Sequence, residues 1–332
     1  MAERQVQKLS LSICIPAYNR PTYLKRAIKS ILTTPIAQQA QIEIIISDDS
    51  TTFKCREVVE ALMPQWKGSW KYSINSPSLG MAKNWNHSIK MASSNYVLIL
   101  HDDDYLEPEA LAIVLDTIKH NPNVSALLFG VQVVTFQQKI IKRQAVKSQK
   151  YLSPAESLEQ ILIDSSYVRF PGMVIKRNVF AEVGYFDENI GEIADIQMWI
   201  RVCHKHGLLC VPSITSNYSV HRDTLTMDMF NNEIIKKLES LFESVKPYGI
   251  LSLTTIEKCK ANYFHQFILA GTVRYLKVRE LRKSIQVFDL FSNLKIRNSL
   301  VRKKWKLIRF LLRIFLDCVD FVVLNRQSAY HS

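Results

Sequence analysis

Three short apolar runs, residues 9–16, 42–47 and 96–100, alternate with helical stripes, and each ends in a polar cluster. Residues 20–34 place Leu24, Ala27, Ile28, Ile31 and Leu32 along one side of a helix. Residues 42–47, IEIIIS, are nearly continuous and β-branched, the pattern of a strand buried on both faces. Residues 81–92 and 108–120 again have helical spacing, the second with Pro108 near its first turn. This alternation predicts an α/β fold with a doubly wound, mostly parallel sheet flanked by helices. In such sheets ligands gather beyond the carboxyl ends of the strands. The first run ends in Pro16, Ala17, Tyr18 and Asn19, the second in Asp48, Asp49, Ser50 and Thr51, and the third in His101, Asp102, Asp103 and Asp104. Acids and amides from three strands therefore meet at one edge of the sheet.

Further along, residues 126–150 read as extended and basic, 170–176 as a strand, 193–206 as a helix and 217–221 as a last strand. Strand signals fade after Thr226, so the boundary falls there: 1–225 as the α/β domain and 226–332 as a helical, basic C-terminal region. A hydrophobic fraction of 47% over 332 residues excludes a disordered or fibrous chain. None of the nine glycines forms GxGxxG or GxxxxGK[ST], which argues against a Gly-rich phosphate loop. That absence also disfavours a nucleotidyltransferase. The six cysteines contain no CxxC pair and read as buried or free thiols of a reducing compartment. The apolar run at the N-terminus is too short for a signal peptide, and no window of about 18 residues is apolar enough to span a bilayer.

Two readings stand for the acids at 102–104. Adjacent carboxylates repel, and a divalent cation such as Mg²⁺ or Mn²⁺ would neutralise them with hard oxygen ligands. A solvated acidic turn before the next helix is the plainer alternative. Asp48 and Asp49 can accept hydrogen bonds from ribose hydroxyls or a base N–H, or they can belong to a helix-capping turn. Tyr18 can pack on a flat base or simply occupy a turn.

The stretches IPAYNR, IIISDDST and SLGMAKNWNHSIKMASSNYVLILHDDDYLEPEAL resemble the inverting family 2 glycosyltransferases with a GT-A fold. The later stretches VIKRNVFAEVGYFDENIGEIADIQMWIRVCHKHG and YSVHRDTLT resemble the family's acceptor-side and closing segments, so the resemblance covers about the first 225 residues. It implies that Pro16, Ala17, Tyr18 and Asn19 line the nucleotide base, that Asp49 contacts the base or ribose, and that Asp48 supports the turn. Asn84 and Asn86, beside Lys83, fall where the family contacts the donor. Asp103 takes the metal-ligand position of a DxD-type motif, with Asp102 at a ribose or metal contact and Asp104 available to compensate for His101, which stands where many members have Asp. His221 falls where it can reach the metal or pyrophosphate, assisted by Arg222. Asp195 takes the place of the general base, although Ala194 stands where the family has Glu.

The activity so implied is a metal-dependent, inverting hexosyltransferase. It would move a sugar from a UDP- or dTDP-type donor to an acceptor hydroxyl on a sugar or lipid-linked sugar, in surface polysaccharide or glycoconjugate synthesis. His101 and Ala194 motivate the alternative, a degenerate non-catalytic nucleotide-sugar or glycan-binding protein.

The net charge of +13 is uneven, since the last 62 residues carry 14 basic and 4 acidic side chains. Within them Leu307, Phe310, Leu311, Ile314 and Phe315 fall near one helical face, preceded by Arg302, Lys303, Lys304 and Lys306. This suits a helix lying on an anionic membrane surface, or one whose stripe docks as core. The expected location is cytoplasmic, peripheral at the inner face of a membrane. No nucleic-acid recognition motif accompanies the charge.

Overall fold

The computed structural model describes residues 10–220 and 229–329. The chain divides into two compact units, one of Met1–Leu158 and Val168–Arg222, the other of Glu159–Tyr167 and Asp223–Ser332.

In the first unit the chain runs β1 (Leu11–Ala17), α1 (Pro21–Leu32), α2 (Ile36–Gln39), β2 (Ile42–Asp48), α3 (Lys54–Leu62), β3 (Ser69–Ile74), α4 (Met81–Met91) and β4 (Tyr96–Ile99). It continues through β5 (Tyr105–Leu106), α5 (Ala110–His120), β6 (Ala126–Thr135), β7 (Ile140–Gln144) and β8 (Lys150–Leu152). After α6 (Pro154–Ile163), whose residues from Glu159 on belong to the second unit, come β9 (Met173–Lys176), α7 (Arg177–Val183), α8 (Ala194–His206) and β10 (Leu208–Val220).

Every residue of β1 and β2 is buried, as their unbroken apolar runs require. The acid inside β2, Glu43, is satisfied: it accepts from Ser12 Oγ, Ser93 N and Ser93 Oγ and pairs with Lys71 Nζ at 2.9 Å. The strand order is β3-β2-β1-β4-β9-β6-β10-β5. The first four are parallel, whereas β9 runs antiparallel to both β4 and β6, so the second half of the sheet is mixed. Register sets Ala17 beside Asp48 and Asp48 beside Ile74, aligning three strand ends at one edge. The last strand, β10, is longer than the expected 217–221 and ends at Val220. The chain positions of His221 and Arg222 lie outside the described residues.

The second unit contains α9 (Asn232–Val245), α10 (Leu253–Lys277), α11 (Leu281–Asp289) and α12 (Lys303–Ala329). Asn231 caps α9 by accepting from Ile234 N at 3.0 Å, and Ser252 caps α10 through Thr255 N at 3.1 Å. Leu238, Phe242, Phe264, Ile268 and Phe288 are buried in this unit. A Cβ at Gly271 would collide with the Phe230 ring, so α10 needs glycine there. In α12 the expected stripe is not core: Leu307, Phe310, Leu311, Ile314 and Phe315 are all exposed.

Candidate active site

The loops leaving β1 and β2 are tied together by short polar side chains. Asn19 adopts the left-handed region at φ 52°, which Asn tolerates. Its N–H donates to Ser50 Oγ at 2.8 Å, and its Oδ1 accepts from Thr51 N at 3.0 Å and Thr51 Oγ1 at 3.2 Å. Asp48 accepts from Ser50 N at 3.0 Å and from Tyr72 Oη at 2.7 Å. Pro16 and Ala17 are buried, while the Tyr18 side chain stands 52% exposed at the strand edge.

Asp49, which the resemblance assigns to the base or ribose, is held by protein donors. Its Oδ1 accepts from Asn75 Nδ2 at 3.0 Å and Leu79 N at 2.7 Å; its Oδ2 accepts from Ser78 Oγ at 2.6 Å and Gly80 N at 2.9 Å. These hydrogen bonds outweigh its burial and hold the carboxyl below its usual range. Four donors fill the lone-pair sites of the two oxygens, so here the side chain shapes the 78–80 turn. That turn delivers Gly80, at φ 85°, to the start of α4. Asn84 and Asn86 on α4 are buried and also committed. Asn84 donates to Ala17 O at 3.3 Å and accepts from Asn75. Asn86 accepts from Phe186 N and donates to Phe186 O, both at 2.9 Å. Both amides orient backbone.

Beyond β4 the three acids are buried, with Asp102 at 4%, Asp103 at 9% and Asp104 at 1% exposure. The solvated-turn reading therefore fails. Asp102 Oδ2 accepts from Tyr18 N at 2.9 Å, linking the ends of β4 and β1. Arg20 Nη1 donates to Asp103 Oδ2 at 2.9 Å and lies 3.5 Å from Asp102 Oδ1. Arg26 Nη2 donates to the Asp103 carbonyl and to Ser219 Oγ at 2.9 Å. Asp104 Oδ1 accepts from Ser219 N at 2.8 Å, but its buried Oδ2 has no hydrogen-bond partner. Burial, then the Asp103 charge, pushes the Asp102 and Asp104 carboxyls above the ordinary carboxylate range.

His101, which stands where many family members have Asp, lies against the same cluster. Its ring packs 5.3 Å from Trp85 and 4.3 Å from Phe170, between centroids, and its buried Nε2 has no partner. Burial lowers its pKa to about 4, so it is neutral and keeps a lone pair. His101, Asp103 and Asp104 each bring one ligand atom within 4.8 Å of the others. One imidazole, two carboxylates and two orphaned buried acceptors suit a divalent cation such as Mn²⁺ or Mg²⁺.

Asp195 opens α8, with its Oδ1 accepting from its neighbour Ile196 N at 2.6 Å. Burial pushes its carboxyl up to about 6, partly offset by that hydrogen bond and by the Arg169 charge. Arg169 itself stacks 4.8 Å over the Tyr218 ring. Ala194 is fully buried, and Trp199 is core, packed on Phe170 and Phe186. The shared rings of Trp85, His101, Phe170, Phe186 and Trp199 thus join the acid-bearing end of β4 to α8.

Residues 12–184 match glycosyl transferase family 2. The chain belongs to that family. It is a glycosyltransferase with a GT-A fold. A Campylobacter jejuni GalNAc(5)-diNAcBac-PP-undecaprenol beta-1,3-glucosyltransferase is 34% identical over 106 residues, which cover 32% of this chain and 33% of that protein. The match thus spans about a third of that relative's length. The structure of S. aureus TarS 1–349 in complex with UDP-GlcNAc is similar at a TM-score of 0.60 and 14% identity, over 85% of this chain and 80% of that one. The mannosyltransferase PcManGT of Pyrobaculum calidifontis, in complex with GDP-Man and Mn²⁺, gives 0.56 and 13%, over 93% and 85%. At such identities both speak for the fold.

Arg20, Arg26, Asn75, Ser78 and Arg169 went unread as site residues in the sequence. Arg20 closes the IPAYNR motif, where its charge opposite three acids was the available signal. Nothing in spacing singles out the others.

Proposed function

We propose that this glycosyltransferase moves a sugar from a UDP- or dTDP-type donor to an acceptor hydroxyl, inverting the anomeric centre, with Asp195 as general base. The observation that carries the reading is the place of Asp195 in the first turn of α8, the helix whose Trp199 shares the aromatic cluster with His101 at the end of β4, together with the burial that raises its carboxyl to about 6. A base poised near neutrality is ionised at working pH and still basic enough to take a hydroxyl proton. Direct in-line transfer then needs no covalent enzyme intermediate. On this reading residues 1–225 are the catalytic domain.

The donor would lie along the edge formed by Pro16, Ala17, Tyr18 and Asn19, with the exposed Tyr18 ring offering a face to the base. Asp48, Asp49, Asn84 and Asn86 hold that wall in place through the hydrogen bonds above. TarS in complex with UDP-GlcNAc supports this donor class. A bound Mg²⁺ or Mn²⁺ would be held by His101, Asp103 and Asp104, and would supply positive charge toward a departing diphosphate. Asp102 keeps Tyr18 N and Arg20 in register beside them. The roles of His221 in metal binding and Arg222 in donor binding rest on the resemblance alone.

A lipid-linked sugar is the acceptor class favoured by the Campylobacter relative's undecaprenol-linked name, in surface polysaccharide or glycoconjugate synthesis. Such an acceptor fits a cytoplasmic protein peripheral to a membrane, and among the described residues no helix is long and apolar enough to cross one. Of the two motives for the degenerate, non-catalytic alternative, the place of His101 beside Asp103 and Asp104 weighs against the first, while Ala194 beside Asp195 stands.

Asp195→Asn tests the assignment. Its transfer rate should fall about 10²- to 10⁴-fold while donor affinity stays unchanged. Undiminished transfer with intact donor binding would remove Asp195 from the mechanism.

A further inference from the structure

The second unit places a basic cavity beside the exposed apolar face of α12. The exposed residues Leu307, Phe310, Leu311, Ile314 and Phe315 recur at helical spacing and form one stripe. A docked helix turns such a stripe inward; this one turns it out, at exposures of 46–62%. Immediately beside it, Lys306, Arg309 and Arg313 form a second stripe that lines a cavity of about 480 Å³, with His265, Phe288 and Phe291 among its walls.

Arg309 is the telling member. Its guanidinium stacks 4.0 Å over the Phe291 ring, and its Nη1 donates to His265 Nε2 at 3.4 Å. His265 Nδ1 lies 2.8 Å from the Ala261 carbonyl and must donate to it, leaving Nε2 as the acceptor. No carboxylate pairs with Arg309 or Lys306 among the described residues. The one acid in the cavity wall, Asp289, is paired with Arg313 at 3.3 Å. A half-buried guanidinium has five N–H donors in a fork that matches phosphate oxygens, and among the described residues His265 takes one of them.

We propose that α12 lies on an anionic phospholipid bilayer, and that the cavity behind its apolar stripe seats a lipid headgroup phosphate held by Arg309 and Lys306. Charge complementarity selects this occupant: the apolar stripe is flanked by Arg302, Lys303, Lys304 and Lys306, a pattern that favours acyl chains under anionic headgroups. The inference deepens the membrane-peripheral placement proposed above and does not depend on the chemistry of Asp195.

The full chain should float with phosphatidylcholine vesicles containing phosphatidylglycerol and not with phosphatidylcholine alone. Phe310→Ser/Ile314→Ser should abolish flotation; equal flotation by this variant would overturn the bilayer seat. Lys304→Gln, outside the cavity, should weaken binding about fivefold, the effect of one surface charge. Arg309→Gln should weaken it by more than that, and Arg309→Lys, which keeps the charge without the fork, should fall between wild type and Arg309→Gln. Equal losses for Arg309→Gln and Lys304→Gln would leave the membrane seat standing and overturn the phosphate site. Wild-type binding to glycerol phosphate without binding to vesicles would assign the cavity to a soluble phosphate and overturn the lipid source. A change of oligomeric state in Phe310→Ser/Ile314→Ser without vesicles would show a second copy on the stripe. Sugar transfer to a water-soluble acceptor, measured in parallel, should be unchanged in these variants, so failure of the catalytic reading registers separately.

Discussion

With Asp195 as the proposed base, its raised carboxyl predicts both a pH profile and a stability trade-off. Its folded pKa of about 6 lies above the ordinary 3.8. As pH falls through about 6 the base becomes protonated, so kcat/KM should drop tenfold per pH unit on the acid limb; a flat profile down to pH 5 would exclude this base. The same shift has a sign in stability. Above about pH 6 the group is ionised in both folded and unfolded chains, and the folded chain carries the burial penalty. Between about 6 and 4 the folded chain binds the extra proton, so wild type gains stability as pH falls. Asp195→Asn should therefore melt higher than wild type at pH 7.5, with the gap closing toward pH 4. Thermal melts at the two pH values check it. Arg20 works in the opposite sense, since its charge offsets Asp102 and Asp103. Arg20→Met should destabilise by about 1–3 kcal/mol in chemical denaturation by removing the charge that faces the buried Asp102 and Asp103 carboxyls.

At the scale of elements, what could be read in advance depended on burial. β1, β2 and β4 are buried on both faces and wrote themselves as apolar runs, and α1, α4, α5 and α8 showed one apolar face each. β3 was missed because it is mostly exposed, with Trp70 and Ile74 facing outward. The antiparallel course of β9 is a matter of pairing, which periodicity does not carry. The candidate site followed the same rule. Its acids were visible because they cluster at strand ends; Asn75 and Ser78 were not, because their partner Asp49 lies about 26 to 29 residues away in sequence. Asp49 makes this concrete. Asp49→Ala should strip acceptors from Leu79 N, Gly80 N, Ser78 and Asn75 and cost about 2–4 kcal/mol. Loosening the turn before α4 should also raise the donor KM more than it lowers kcat. An unchanged denaturation midpoint would mean that the turn holds without the carboxylate.

Across the whole molecule the charge is sorted, with carboxylates gathered at a sheet edge of the first unit and the cationic excess in the last 62 residues. Three buried acids face Arg20 and Arg26, and Asp104 Oδ2 still lacks a hydrogen-bond partner, so a cation bound at that edge should stabilise the entire fold by linkage. The donor set decides which cation. Mg²⁺ prefers oxygen ligands and keeps its waters, whereas Mn²⁺ accepts an imidazole more readily. With His101 in the set, Mn²⁺ should raise the melting temperature more than Mg²⁺ at equal concentration. His101→Asn should reduce the Mn²⁺ shift while leaving the smaller Mg²⁺ shift nearly intact. Because His101 also packs on Trp85 and Phe170, the variant's metal-free melting point is expected to fall, and the shift must be taken relative to that baseline. Equal Mn²⁺ shifts in wild type and His101→Asn would return the imidazole to a purely packing role and leave the acids to hold the ion alone.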